Sequence, residues 1–313
     1  MTPNQKITFS KPPRSFSEQA ELLRSYGLNA TRGSKAEFYL AHLNYYRLAA
    51  YRLPFEEDHK THRLRPDTSF DDVLNLYMFD RALRLLMMDA IERIEVSLRT
   101  QMAYHLAHRS EIAHPHLDGS LFDNQRLHKS GIRYLEQAVT KSNEAFINHF
   151  REKYKEPLPP IWAVVELMTM GQLSKWFSNI AARKDRQAIS AAYRIDERIL
   201  TSYCEHLSLV RNITAHHARL WNRSFTKTMR LPSHGPASLL ESVWVVPLSD
   251  PRGRKIYNTL TMTLFVLDVI APEHDWRRRL LGLIKQHEID THDMGFPCDW
   301  MQRPLWASKY RWV

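Results

Sequence analysis

The chain has 313 residues, 43% of them hydrophobic and 25% charged, with a formal net charge of +10. That length and apolar share supply a substantial core and exclude a wholly disordered chain. Two cysteines exclude a disulfide framework or a zinc ribbon, and nine glycines are too few for the turns of an all-β fold. The expected fold is therefore all-α, and the positive balance suits a polyanion, most simply nucleic acid.

Residues 1–14, with Lys11-Pro-Pro13, read as an extended arm. Ser15-Phe-Ser-Glu18 is a capping-box pattern that opens a short helix ending at Gly27, and Ser34-Lys-Ala-Glu37 opens a second through about Ala50. Pro54 to Pro66 is a charged connection. Ser69-Phe-Asp-Asp72 then caps a long helix to about His108, on which Leu83, Met87, Ala90, Ile91, Ile94, Leu98 and Met102 form the core face. Arg81, Arg84, Met88, Glu92, Glu95 and Arg99 form a neighbouring stripe. A helix is expected from Asn124 to Tyr154, ended by Pro157, Pro159 and Pro160, and others over Trp162–Ile180, Asp185–Tyr193 and Asp196–Thr214.

Ser242–Val246 reads as a short strand or an extended packing segment, followed by two closing helices, Gly253–Ala271 and Asp275–His287. Trp300, Trp306 and Trp312 imply that the tail packs back on the body. The apolar run Leu260–Ile270 is too short to span a membrane and the N-terminus lacks the apolar core of a signal peptide, so a cytoplasmic protein without a membrane partner is expected.

The chemistry concentrates after Leu209. Between Glu205 and Glu241 there is no carboxylate, while Arg211, Arg219, Arg223, Lys227 and Arg230 lie in that interval together with His206, His216, His217 and His234. A phosphate backbone is drawn to such a segment. Arginine grips phosphate in a fork, and histidine moves a proton near neutral pH. On a continuous helix Asn212 and His216 share a face that Arg219 and Arg223 extend, whereas Arg211 stands roughly 140° away from His216. One helix therefore aims Arg211 and His216 at one phosphate poorly, and a second contributor is expected: a second subunit, or Glu95 and Arg99 on the long helix.

No acidic cluster accompanies these residues, so a two-metal nuclease is not expected and neither a metal nor another cofactor is called for. Metal-free cleavage needs an internal nucleophile, which RNA has in its 2′-hydroxyl.

Arg211-Asn212-x-x-x-His216 matches the Arg-x(4–6)-His signature of HEPN ribonuclease domains. The longer string Val210-Arg-Asn-Ile-Thr-Ala-His-His-Ala-Arg-Leu-Trp-Asn-Arg223 resembles the abortive-infection (Abi-like, AbiD/AbiF) proteins of bacteria. Asn44-Tyr-Tyr-Arg-Leu48, Tyr77-Met-Phe-Asp-Arg-Ala-Leu-Arg84, Ile91–Arg99, Leu158-Pro-Pro-Ile-Trp162 and Gly295-Phe-Pro agree with them, so the resemblance covers residues 15 to 307, read as one domain followed by a tail over 308–313.

The resemblance implies a multi-helix, HEPN-like core and a metal-independent RNA endonuclease acting in phage defence or as a toxin, working as a homodimer or through paired motifs. A small RNA or an antitoxin as regulatory partner goes with it. Arg211 and His216 carry over as catalytic and Asn212 beside them, and His217 also satisfies the spacing. Glu95 and Arg99 are the supporting candidates; Arg219, Arg223, Lys227 and Arg230 are the RNA-binding ones. The alternative is a non-catalytic protein that senses or sequesters a structured small RNA.

Overall fold

Ser15 opens the first helix by reciprocal bonding. Its hydroxyl accepts from the Glu18 amide at 3.2 Å, and its own amide donates to the Glu18 carboxylate at 2.6 Å. Two N–H groups with no partner inside the helix are thereby satisfied. The computed structural model describes residues 8, 10–29, 35–247 and 249–307. Ser34 of the second expected box, much of the expected arm, and the tail with Trp312 lie outside them.

Helix α1 (Phe16–Ser25) ends with Gly27 at φ 95°, and the Gly27 and Leu28 amides close back on the Arg24 and Leu23 carbonyls. The single helix expected to reach Ala50 is two, α2 (Lys35–His42) and α3 (Tyr45–Arg52). Asn44 makes the break: its side chain accepts from the Tyr46 amide at 2.8 Å and caps a new helix. The connection that follows holds a hairpin, β1 (Glu56–Asp58) and β2 (Arg63–Leu64). Glu56 sits buried there against the Arg52 guanidinium at 2.9 Å.

Ser69 and Asp72 repeat the reciprocal cap at 2.8 and 3.2 Å and start α4 (Phe70–Ser110). The chain divides within α4 into two compact units, residues 1–80 and 81–313. In the first, Leu23, Leu40, Leu48, Tyr51 and Phe79 are core residues, and the Tyr51 hydroxyl donates to buried Asp80 at 2.5 Å.

In the second unit the α4 face from Leu83 to Met102 is buried residue for residue as its spacing requires. The helix expected over Asn124–Tyr154 is interrupted at Ser142–Glu144, giving α5 (Gln125–Lys141) and α6 (Ala145–Lys153). The Trp162–Ile180 stretch is likewise divided into α7 (Ile161–Val164), a 3₁₀ turn and α8 (Met170–Ser178), because Thr169 accepts from the Gln172 amide and caps α8. α9 (Arg183–Ala191) and α10 (Glu197–Ala215) follow, and both α8 and α9 pack on α10.

Ser242–Val246 forms no strand: α11 (Ala237–Ser242) ends there, and the Asn258 side-chain amide pairs with both backbone groups of Trp244 at 2.8 Å. The apolar run is the core helix α12 (Tyr257–Ile270), with Leu260, Leu264, Val266 and Leu267 fully buried. α13 (Trp276–Gln286) is pinned by the Trp276 indole, which donates to the Leu86 carbonyl at 2.8 Å. Trp300, and Trp306 of α14 (Pro304–Ala307), are buried against Phe296 and each other. Among the described residues β1 and β2 are the only strands, the fold is all-α, and no helix is long and apolar enough to cross a membrane.

Gly131 tests the packing of α5 on α8. A Cβ at this position falls 2.7 Å from the Trp176 ring. In an open helix Gly→Ala stabilises by about 1 kcal/mol; here Gly131→Ala is predicted to destabilise by roughly 1–3 kcal/mol, because the rigid indole has to move. Urea unfolding with the midpoint unchanged or raised would sink this account.

Two buried histidines set an acid limit. The His206 ring lies between the Lys227 carbonyl at 3.1 Å and the Thr259 hydroxyl at 2.8 Å, and burial pulls its pKa down to about 4. His116, fully buried, is pulled down to about 4 by the same cause, with the neighbouring His114 and His128 adding to it. The folded chain thus binds fewer protons than the unfolded one between these values and the ordinary histidine pKa of about 6.5. Stability from these rings is present above that window and is lost as pH falls through it, by on the order of 2 kcal/mol per ring near pH 4. Unfolding midpoints measured from pH 7 to pH 4 should fall, and less steeply for His206→Gln.

Candidate functional site

Helix α10 stops at Ala215, and that termination organises the motif. His216 is its last, capping residue, with its amide on the Asn212 carbonyl at 3.0 Å. His217 is left-handed at φ 57°; its amide reaches the Thr214 carbonyl at 3.1 Å, and the Ala218 amide reaches the Ile213 carbonyl at 2.9 Å. These are the two bonds of a Schellman end, with histidine where Gly27 stands after α1. The helix expected over Asp196–Thr214 ends within one residue of that bound, so Arg219 and Arg223, which a continuous helix would place on the stripe of Asn212 and His216, do not extend it. Histidine tolerates the left-handed backbone better than most side chains, so no glycine marks the stop in the sequence.

Arg211 and His216 diverge, as their separation on the helix requires. Asn212, His216 and His217 are exposed, while Arg211 is half-buried. Its charge reaches Glu95 of α4: burial pushes the Glu95 carboxyl above its ordinary range, and the Arg99 and Arg211 cations oppose that rise. α4 and α10 also meet at the Thr214 hydroxyl, which contacts the Met88 sulfur at 2.9 Å. Arg211, Glu95 and Arg99 are thus brought together, on the flank of α10 away from its exposed polar end.

Arg99 is committed to holding the scaffold. Its guanidinium donates to Glu95 at 2.6 Å, to Glu166 at 3.1 Å and to the Met168 carbonyl at 2.8 Å. It thereby ties α4 to the turn between α7 and α8 and holds Glu95. Glu166 and the Met168 carbonyl were not foreseen: they stand far along the chain from Arg99, in a segment with no motif.

The remaining cationic candidates lie in the loop after α10. The Arg223 guanidinium donates to the Arg219 carbonyl at 3.1 Å, behind buried Leu220 and Trp221. Arg219 lies close enough to Lys255 to oppose its charge; burial is the main cause that lowers the Lys255 pKa. Lys255 also donates to the Asn222 side chain, a partner sequence reasoning missed. Lys227 is paired with Glu205 at 2.5 Å, so the carboxylate that bounds the basic interval folds back into it. The Arg230 amide donates to the Ser202 hydroxyl at 2.8 Å, and its side chain is exposed. His206 belongs to the core. Among the described residues no group of three or more His, Cys, Asp or Glu is arranged to hold a metal ion.

No characterised protein and no solved structure matches the chain. One family model does match, that of the Abi-like proteins, over residues 38–222. That span contains α3, α4 and the whole of α10 with Arg211, His216 and Leu220–Asn222, and it exceeds half of the chain. With the all-α architecture and the polar end of α10 inside the matched region, the chain belongs to the Abi-like protein family.

Proposed function

We propose that this protein is a metal-independent endoribonuclease of HEPN type that acts in bacterial phage defence or toxin-like growth arrest. The observation that carries the reading is the end of α10. It exposes an imidazole and an amide, His216 and Asn212, one turn from a half-buried arginine, Arg211, whose charge is felt at Glu95.

In the proposed reaction an RNA 2′-oxygen attacks the adjacent phosphorus while the bond to the 5′-oxygen breaks. His216 takes the 2′-hydroxyl proton or supplies one to the leaving 5′-oxygen. Arg211 neutralises the charge that grows on the phosphoryl oxygens, and Asn212 donates to the same phosphate. The products are a 2′,3′-cyclic phosphate and a 5′-hydroxyl, and no oxidant, metal or water is consumed. Because Arg211 and His216 diverge on one α10, the site is completed by a second copy of the chain, the Arg211 of one beside the His216 of the other. The reaction belongs in the cytoplasm, with a small RNA or an antitoxin as the regulator.

Purified protein incubated with RNA in excess EDTA should release fragments ending in 2′,3′-cyclic phosphate. His216→Ala is expected to lower the rate by roughly 10²–10⁴-fold and Arg211→Ala by a similar factor, both keeping RNA affinity within a few-fold. Wild-type protein that binds RNA tightly yet leaves it intact establishes the sequestering alternative instead.

His217→Gly separates the two histidines. It removes a left-handed side chain and should raise stability by up to about 1 kcal/mol in thermal unfolding. It should leave cleavage unchanged; a loss of cleavage moves the proton-transfer role from His216 to His217.

A further inference from the structure

We propose that the first unit carries a separate grip for single-stranded RNA, in the groove between the Lys11–Arg14 segment, α1 and α3; the proposal rests on RNA being the partner of this protein. The groove has a volume of about 880 Å³, and none of its lining residues is an aspartate or glutamate. Two things line it: cations on a stiff segment and aromatic rings on a fixed base.

Lys11 and Arg14 flank Pro12 and Pro13, and all four are exposed. The prolines hold φ and keep the segment extended, so few conformations are lost when it meets a ligand. The segment is also anchored, since the Gln19 side chain donates to the Arg14 carbonyl at 2.9 Å. Its two cations are spaced along an extended chain, which is how a phosphate backbone is tracked.

The rings stand on α3. The Tyr45 hydroxyl accepts from Arg52 at 3.2 Å, while Arg52 itself is neutralised by Glu56 and covers the Tyr26 ring at 4.9 Å. Tyr45 is thus locked. Tyr46 packs perpendicular to it at 5.7 Å and stays 73% exposed. A large ring held by its neighbour yet left bare to solvent is a poor core residue and a ready platform for a nucleobase.

Every base has a π-face, so recognition here is tolerant of sequence, and a duplex with its bases stacked inside gains nothing from Tyr46. The groove therefore selects unpaired RNA. It is independent of the chemistry at α10, because Arg211 and His216 belong to the other unit.

The test uses the full chain carrying His216→Ala, so that RNA stays intact, and a fluorescein-labelled unstructured 12-nucleotide RNA read by anisotropy across a salt series. Tyr46→Ala should weaken binding about tenfold and Tyr46→Phe should restore it. Lys11→Glu with Arg14→Glu should reduce the slope of log affinity against log salt by roughly 1.4, the value for two phosphate contacts on a single strand. Wild-type affinity and slope in both variants overturns the proposal. So does a Tyr46→Ala protein that changes oligomeric state, since the groove then holds a second copy of the chain. Failure of the nuclease reading looks different: no cleavage by the wild type, with these binding differences intact.

Discussion

The placement of every polar group in the motif depends on one backbone event, the reversal of α10 after Ala215. Two amide–carbonyl bonds close the helix, and His217 turns left-handed to let them form. Without that stop, the next residues continue the helix and the exposed end that presents Asn212 and His216 disappears into a longer rod. With it, Leu220 and Trp221 turn inward to the core and the cationic side chains beyond spread over a loop. Local hydrogen bonding, rather than charge, decides what the candidate site contains.

The electrostatics around that end are less one-sided than the run of arginines implies. Carboxylates come back to the cations: Glu95, one turn away, and Glu166, far along the chain, to Arg99; Glu95 to Arg211; and Glu205 to Lys227. What is offered to an anion is therefore selective. Exposure separates the groups further, since the proton-transfer candidates stand in solvent while Arg211 is half sheltered. A ligand that reaches all of them has to wrap the end of the helix or meet a second molecule across it.

The legible parts of the fold were those governed by short-range rules. The caps at Ser15 and Ser69 are readable because donor and acceptor lie three residues apart, and the buried face of α4 because its period is that of the helix. The breaks at Asn44 and Thr169 were not readable as breaks, since each is a polar residue inside a run whose apolar spacing continues; only the bonded side chain reveals the cap. The site follows the same division. Arg211, Asn212 and His216 are neighbours in sequence and could be nominated from it, as could the pairing of Glu95 with Arg99 at one helical turn. The clamp from Arg99 to Glu166 and the Met168 carbonyl, and the Lys255–Asn222 bond, join segments dozens of residues apart and leave no local trace. The end of α10 was placed within a residue, at Thr214, but its left-handed stop left no mark in the sequence, because a histidine occupies the position at which a glycine ordinarily announces one.

That substitution of other residues for glycine has a consequence for folding. His217 after α10 and Glu288 after α13 both hold left-handed backbones at φ 57° and 51°. Each carries a native-state strain of about 1 kcal/mol that glycine avoids. The unfolded chain, however, is narrower wherever a side chain replaces glycine, so less backbone entropy is surrendered on folding. In a protein with so few glycines, the ends of its helices are held at some cost in enthalpy and with a saving in chain entropy, and stability at these positions is decided by the small difference between the two.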